Sequence, residues 1–255
     1  MMRAGRAACL LLAIACIGCD SESATAEVLA PVPAGPGDGI LFVGNSLTYG
    51  NDLPGLVEGL SAGTGGRLQT AMVAFPGYSL ADHFSKGDAV RSIATGGWRV
   101  VILQQGPSTL PESQDLLRRF TAAFDRRIRA VGARTALFSV WPDTQFPSNF
   151  EDVAQSYSLA ADDVGGIYFP VTQAWQLALQ REPSLRLYSS DGFHPSEQGS
   201  YLAALVMVGV LTGRSPLGMP ARVVRPAGTE VSIPQETASA LQDAASAAIA
   251  AYARF

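Results

Sequence analysis

The sequence has 255 residues, of which 47% are apolar and 16% are charged, and this composition is typical of one globular α/β domain. The high apolar content excludes a disordered or fibrous protein. The net charge is -4, and Lys86 is the only lysine beside 17 arginines. Because no segment carries a basic stripe, the sequence lacks the charge pattern of a nucleic-acid-binding protein, and we expect a small or neutral partner.

The N-terminal residues have the architecture of an export signal. Arg3 and Arg6 precede an apolar run over residues 7–17, which is too short for a stable membrane anchor. The run ends in Ile17-Gly18-Cys19, which resembles the lipobox of bacterial lipoproteins, where the cysteine becomes the lipidated first residue. We therefore predict a signal peptide over residues 1–18, lipidation of Cys19, and an exported protein held at a membrane only through this lipid.

Other interpretations of this segment stay open. Cleavage before Cys16 would also follow a small residue, and an ordinary secretory signal would need no lipid. All three cysteines lie in the first 19 residues, so no disulfide or thiolate metal site is expected beyond them. Residues 19–39 are rich in serine, proline and glycine and are predicted to be a flexible tether, which leaves residues 40–255 as one folded domain.

Beyond the tether, short apolar runs alternate with amphipathic stretches, and strands that alternate with helices form a parallel sheet covered on both faces. The predicted strands are residues 40–43, 68–73, 100–103, 135–140 and 166–169. The predicted helices are residues 52–62, 79–94, 113–131, 150–163, 171–182, 196–212 and 234–253, with a proline-rich passage from Pro216 to Pro226 before the last. We predict a three-layer α/β/α fold of the flavodoxin type, with a five-stranded sheet in the order 2-1-3-4-5.

Such a sheet binds ligands at the carboxyl ends of its strands, so the residues after each strand carry the functional prediction. Ser46 follows the first strand in Gly44-Asn45-Ser46, where the glycine permits a sharp turn. Gly77 lies in the turn after the second strand. Gln104 and Gln105 follow the third strand, an unusual place for two side-chain amides unless they donate hydrogen bonds.

Histidine is scarce in this chain. An imidazole general base must be His83 or His194, because the sequence contains no other histidine. Asp191 stands three residues before His194 and can orient its ring from the same loop. Singly, Ser46 and Asp191 are better explained as helix caps, but the ordered set predicts a Ser–His–Asp triad. His83 is predicted to be a solvated helix residue, with a place at the pocket mouth as the alternative.

In this order, the post-strand segments resemble the sequence blocks of the SGNH, or GDSL-type, serine esterases. Gly44-Asn45-Ser46-Leu47 is similar to the nucleophile block of that family, with Asn45 in place of its usual aspartate, and Gly77 matches its glycine block. Asp191-Gly192-Phe193-His194-Pro195 matches the block of the acid and the base. The resemblance implies Ser46 as the nucleophile, His194 as the general base and Asp191 as the residue that orients it, with no cofactor and no metal ion.

The third block departs from the family pattern. Where the family has Gly-x-Asn-Asp, this chain has Gly106-Pro107-Ser108-Thr109, so the usual asparagine donor is missing. We predict an oxyanion hole made by the backbone amides of Ser46 and Gly77 and one glutamine side chain. Gln104 is preferred over Gln105, which adjoins the turn, and the two should point to opposite sides of the strand. Ser108 occupies the matching position, but its hydroxyl is shorter than a carboxamide.

The sequence therefore predicts a secreted or lipid-anchored hydrolase of carboxylic esters, with acyl groups on carbohydrate as one substrate class. A lipase or lysophospholipase is an alternative on the same fold. Another is a carbohydrate-binding module that has lost turnover, which only the altered third block favours. A metal site formed by His83, Asp191 and His194 is a weaker alternative, since it would leave Ser46 without a role.

Overall fold

The computed structural model describes Met1 and residues 39–254. Cys19 and residues 2–38, on which the predictions of a signal peptide and a tether rest, lie outside the described residues.

A five-stranded parallel sheet forms the middle layer of the domain. Its strands lie in the order β2-β1-β3-β4-β5, as the sequence predicts. They are β1 (Gly39–Gly44), β2 (Gln69–Ala74), β3 (Trp98–Leu103), β4 (Arg134–Phe138) and β5 (Ile167–Phe169). The apolar runs become central strands because both faces of the sheet are covered. Residues 40–43, in the middle of the sheet, are at most 1% exposed.

Nine α-helices cover the two faces of the sheet or flank its edges within residues 39–254. They are α1 (Ser46–Tyr49), α2 (Leu53–Gly63), α3 (Leu80–Lys86), α4 (Asp88–Ala94), α5 (Pro111–Ala130), α6 (Phe150–Asp162), α7 (Val171–Arg181), α8 (Glu197–Thr212) and α9 (Gln235–Tyr252). Helices α3, α4, α5 and α6 pack against one another, as do α2, α7, α8 and α9. The predicted three-layer α/β/α fold is confirmed.

The structure departs from the predicted elements in three places. Helix α1 lies at residues 46–49, where the sequence predicts no helix. The helix predicted over residues 79–94 is two helices, because Gly87 takes a left-handed conformation (φ 83°) that ends α3 and precedes α4. The proline-rich passage leads into a small antiparallel hairpin, β6 (Arg222–Val224) and β7 (Glu230–Ser232). Strands of three residues are too short to show a pattern of alternation.

Helix α8 is the central helix of its layer. Twelve of its residues are buried, and they lie all around the helix. The helix begins directly after the loop that carries Asp191 and His194, where Ser196 caps it by accepting a hydrogen bond from the Gly199 backbone at 3.2 Å.

In the described part of the chain, no helix has both the length and the hydropathy needed to span a membrane.

Gly199 allows α8 to approach its neighbours closely, and we predict that Gly199→Ala destabilises the fold. An added Cβ would lie 2.5 Å from Cζ2 of Trp175 and closer still to the carbonyl oxygen of Leu187. Overpacking of this kind should lower the free energy of unfolding by about 2 kcal/mol, measured by urea denaturation.

Gly50→Ala is the matched control for this change. Its added Cβ would come no closer than 3.6 Å to Pro195, and φ is -53° at this position. The free energy of unfolding should then change by no more than about 0.5 kcal/mol. Equal losses in the two variants would contradict the close approach at Gly199.

Candidate active site

The Ser46 hydroxyl lies at the carboxyl edge of the central strand. Strand β1 ends at Gly44, Asn45 caps the short helix α1, and Ser46 is the first residue of that helix. The Asn45 side chain accepts a hydrogen bond from the Leu47 backbone at 3.1 Å and donates one to the carbonyl of Tyr78 at 3.0 Å. This cap fixes the turn that presents Ser46.

Asp191 and His194 form a self-contained unit on the loop before α8. One carboxylate oxygen of Asp191 accepts hydrogen bonds from the Ser189 hydroxyl at 2.7 Å and from the backbone amides of Phe193 and His194, both at 2.9 Å. The other oxygen lies 2.5 Å from Nδ1 of His194. The Phe193 amide and then the His194 ring hold the pKa of Asp191 below its usual range, so this group stays a carboxylate in mild acid.

The fold brings Ser46 to this unit from 148 residues away. Nε2 of His194 lies 2.9 Å from the Ser46 hydroxyl oxygen. Because the Asp191 carboxylate can only accept a hydrogen bond, Nδ1 carries the ring proton and Nε2 faces Ser46 as an acceptor. The three residues predicted from the sequence therefore form one hydrogen-bonded chain, an arrangement that can draw the proton from a serine hydroxyl.

The histidine loop is supported from beneath by a pair of buried tryptophans. Nε1 of Trp141 donates a hydrogen bond of 2.9 Å to the carbonyl of Phe193. The Trp141 ring stacks on Trp175 with ring centroids 3.6 Å apart, and neither side chain is exposed. Trp141 therefore holds the backbone next to His194 in place and cannot form a wall for a ligand.

A cavity of about 360 Å³ opens beside Ser46, at the lower end of the volumes typical of ligand pockets. None of the described residues that line it carries a charge. They are Asn45, Ser46, Gly77, Tyr78, Ser79, Gln105, Gly106, Pro107, Ser108, Ser113, Leu116 and Phe193. The cavity is therefore suited to a small uncharged group.

The backbone amides of Ser46 and Gly77 are available at the edge of this cavity. Ser46 and Gly77 both line it, and within residues 39–254 neither backbone N–H donates to a protein acceptor. Gly77 has φ 67°, and an added Cβ there would meet nothing within 4 Å, so the backbone conformation and not the space requires glycine. These amides match the backbone part of the predicted oxyanion hole.

Gln104 does not match the role predicted for it as the preferred oxyanion donor. Its side chain is fully buried, and its amide nitrogen donates to the Asn45 side chain at 3.0 Å and to the carbonyl of Gln105. Its oxygen accepts from the Asn45 backbone at 2.9 Å and from the Thr48 hydroxyl at 2.7 Å. Gln104 therefore has no free proton for a ligand and instead ties the end of β3 to the Ser46 turn.

Gln105 lines the cavity, but its amide is also occupied. Its nitrogen donates to the Ser108 hydroxyl at 2.8 Å and to the carbonyl of Ser113 at 3.3 Å, and its oxygen accepts from the Leu80 backbone at 3.1 Å. The Ser108 hydroxyl in turn donates to the carbonyl of Gly106 at 3.0 Å. The side chains that could replace the missing asparagine thus hold the third block together, and the free donors at this edge are backbone amides.

His83 is buried, and the prediction of a solvated helix residue is wrong. Its Nε2 donates to the carbonyl of Gly44 at 2.7 Å, and its ring contacts those of Phe75 and Tyr78. Burial lowers the pKa of His83 and keeps the ring neutral. Helix α3 turns this face inward because its apolar side packs on the sheet, and the sequence around His83 gave no sign of this.

The alternative of a metal site formed by His83, Asp191 and His194 does not fit the hydrogen bonds of these residues. The Nε2 of His83 is occupied by the carbonyl of Gly44, while Asp191 and His194 bind each other. Among the residues that the structure describes, no three histidine, cysteine, aspartate or glutamate side chains are grouped as a metal site.

Several residues that support the site were missed from the sequence. Trp141, Tyr157 and Asn51 each bind a backbone carbonyl of a loop that carries or lines the site, at Phe193, Gln105 and Pro195 respectively. A carbonyl partner leaves no signature in the sequence, because every residue has one. The only available signal was Asn51-Asp52 before Leu53-Pro54, a typical turn and helix start.

No family model matches the sequence, and no curated protein is similar to it. Solved structures do share the fold. A candidate SGNH hydrolase from Slackia heliotrinireducens has 26% sequence identity over 68% of this chain and 97% of its own, with a TM-score of 0.58. A DUF4886 family protein from Bacteroides uniformis is 20% identical over 84% of this chain and 95% of its own, with a TM-score of 0.65. A catalytic mutant of an acetylxylan esterase from Geobacillus stearothermophilus is 14% identical over 73% of this chain and 96% of its own, with a TM-score of 0.52.

We predict that Gln104→Ala acts mainly on stability. The change removes a buried side chain and leaves the Asn45 backbone amide without an acceptor, so the free energy of unfolding should fall by about 3 kcal/mol. Gln114→Ala is the control, since that half-buried glutamine on α5 donates only to the carbonyl of Thr109. A Gln104→Ala protein of unchanged stability whose kcat falls about 100-fold would restore Gln104 as an oxyanion donor.

Proposed function

We propose that the chain is a serine esterase of the SGNH/GDSL type, which cleaves carboxylic esters with Ser46, His194 and Asp191, and its structural likeness to a candidate SGNH hydrolase supports this proposal. The observation that carries the proposal is the hydrogen-bonded chain from the Ser46 hydroxyl through His194 to Asp191, which lies beside an uncharged cavity. A binding module would have no need of a serine that donates to an oriented imidazole.

In the proposed acylation step, the Ser46 oxygen attacks the ester carbonyl carbon while its proton passes to Nε2 of His194. The carbonyl oxygen becomes an oxyanion, which the backbone amides of Ser46 and Gly77 stabilise. When the tetrahedral intermediate collapses, the bond to the alcohol oxygen breaks and His194 gives its proton to the departing alcohol. The acyl group is left on Ser46.

In the proposed deacylation step, water enters where the alcohol left. His194 takes a proton from the water, whose oxygen attacks the acyl carbon and forms a second tetrahedral intermediate. Collapse breaks the bond to Ser46, and the serine recovers its proton from His194. Asp191 stays ionised throughout, because its hydrogen bonds hold its pKa low, and it keeps His194 in the tautomer that both steps need.

The cavity supports a short, uncharged acyl group. Its volume is about 360 Å³, and its lining consists mainly of small residues, with Tyr78, Leu116 and Phe193 as the larger side chains. We propose short-chain esters, with acetyl groups on carbohydrate as the first class to test. Hydrolysis of nitrophenyl esters of increasing chain length, beside a panel of acetylated sugars, would separate this class from the long acyl chains of a lipase.

We predict that Ser46→Ala abolishes both turnover and covalent labelling by a serine-directed phosphonate, with little change in stability, because it removes the hydroxyl that attacks. His194→Ala should lose turnover as well. The matched control is Ser113→Ala, since Ser113 lines the same cavity but its hydroxyl donates to the carbonyl of Leu110. Intact protein and Ser113→Ala should gain one phosphonate by mass spectrometry. Turnover or labelling that persists in Ser46→Ala would end the proposal.

We also propose that the protein is an exported lipoprotein anchored through Cys19, on the basis of the lipobox-like sequence Ile17-Gly18-Cys19. Expressed in a bacterial host, the full chain should partition into detergent, and its first residue should carry a diacylglycerol and an acyl chain by mass spectrometry. Cys19→Ala should block processing or release the protein from the membrane, whereas Cys9→Ala should change neither. A mature N-terminus that begins elsewhere without a lipid would contradict this proposal.

A further inference from the structure

Asn51 connects the element that carries Ser46 to the loop that carries His194. After α1, residues 50–52 form one turn of 3₁₀ helix that leads into α2. Within this turn the Asn51 side-chain nitrogen donates to the carbonyl of Pro195 at 2.8 Å and to the hydroxyl of Ser200 at 3.0 Å. Pro195 directly follows His194. The Asn51 side chain therefore links the segment that carries Ser46 to the loop that carries His194.

The backbone of this turn is held in a conformation that few residues adopt. Asn51 has φ 52° and ψ 23°, and Asp52 has φ 49° and ψ 57°, so two consecutive residues are left-handed. Elsewhere in residues 39–254, Ser108 is the only other residue besides glycine with positive φ. Strain of this kind persists only where surrounding contacts maintain it, and it is concentrated at functional sites.

Two other contacts of the histidine loop attach it to itself or to the end of β4, and not to the segment that begins at Ser46. Asp191 orients the His194 ring, but both residues belong to one loop and would move together. Trp141 holds the Phe193 carbonyl from the end of β4. Asn51 joins this loop to the chain segment beginning at Ser46 through its hydrogen bond to the Pro195 carbonyl. Since the His194 side chain is 43% exposed, packing alone does not fix its position.

We propose that Asn51 is a positioning residue, which holds the histidine loop at the distance where Nε2 of His194 accepts a hydrogen bond from Ser46. The inference rests on the proposed function, and Asn51 itself contacts neither member of that pair. Its loss would let the loop shift relative to Ser46, and small displacements of reacting groups lower rates steeply. The effect should fall on kcat and leave the binding of substrate, and hence KM, nearly unchanged.

Asn51→Gly is the sharpest test, because glycine permits the left-handed backbone and removes only the two hydrogen bonds. We expect kcat to fall about 10- to 100-fold with KM unchanged, and the rate of phosphonate labelling at Ser46 to fall by a similar factor. Asn51→Asp should behave alike, since a carboxylate cannot donate to the Pro195 carbonyl. Ser200→Ala, which leaves the bond to Pro195 intact, should cost less than about threefold.

Asp52→Gly is the matched control at the next left-handed residue. The Asp52 carboxylate caps α2 by accepting from the Gly55 backbone at 3.1 Å, so this change loosens the same turn while the Asn51 side chain keeps its hydrogen bonds to Pro195 and Ser200. We expect a lower Tm with kcat within about twofold of the original. A wild-type kcat in Asn51→Gly, or equal losses of kcat and labelling rate in both glycine variants, would overturn the proposal.

The two proposals can fail separately. If Ser46→Ala is inactive and Asn51→Gly is fully active, the esterase mechanism stands and the positioning role of Asn51 is wrong. If Ser46→Ala keeps turnover and labelling, the proposed function is wrong whatever Asn51 does.

Discussion

The buried side-chain amide of Gln104 fixes the end of β3 relative to the turn that carries Ser46. It lies at the end of β3 and makes hydrogen bonds to the backbone and side chain of Asn45 and to the hydroxyl of Thr48. These bonds join the carboxyl ends of two neighbouring strands, β1 and β3. In a dry interior such bonds are directional and costly to break, so the position of Ser46 is set before any ligand arrives.

The loops around Ser46 differ in how much of their shape depends on the rest of the fold. The Asp191–His194 unit is local, since every hydrogen bond that shapes the carboxylate comes from residues 189–194. The position of this unit relative to Ser46 depends on residues distant in the sequence. Trp141 donates to the carbonyl of Phe193, and Asn51 donates to the carbonyl of Pro195. The division explains why a short sequence block can carry an acid and a base while the nucleophile lies far away in the chain.

The third block shows how the same residue types can serve a different purpose. Gln104 and Gln105 stand at a strand end, where free amides would be suited to bind an oxyanion. In the folded chain, both side-chain amides are used by neighbouring groups, whereas the backbone amides of Ser46 and Gly77 donate to no protein acceptor within residues 39–254. A buried side-chain amide forms hydrogen bonds with the polar groups that lie near it, because an unsatisfied donor or acceptor in the interior is costly.

The strands are predictable from the sequence because each is a continuous apolar run, typical of a strand buried on both faces. Their order follows from the flavodoxin-type fold that the alternation of strands and helices predicts. The bounds of the predicted strands and helices agree within two residues, apart from the division at Gly87, whereas α1 and the strands β6 and β7 are not predicted. The sequence also indicated which residues meet, since Ser46 follows β1, while Asp191 and His194 follow β5 and helix α7 in the block that resembles the acid and base of a known family.

The folded structure was needed to show that His83 is buried and that the glutamine amides are occupied. It also decided that Asn51 reaches Pro195 across 144 residues. Those facts depend on which backbone group lies opposite each side chain, and backbone groups are the same at every position, so no pattern of residues can encode them in advance.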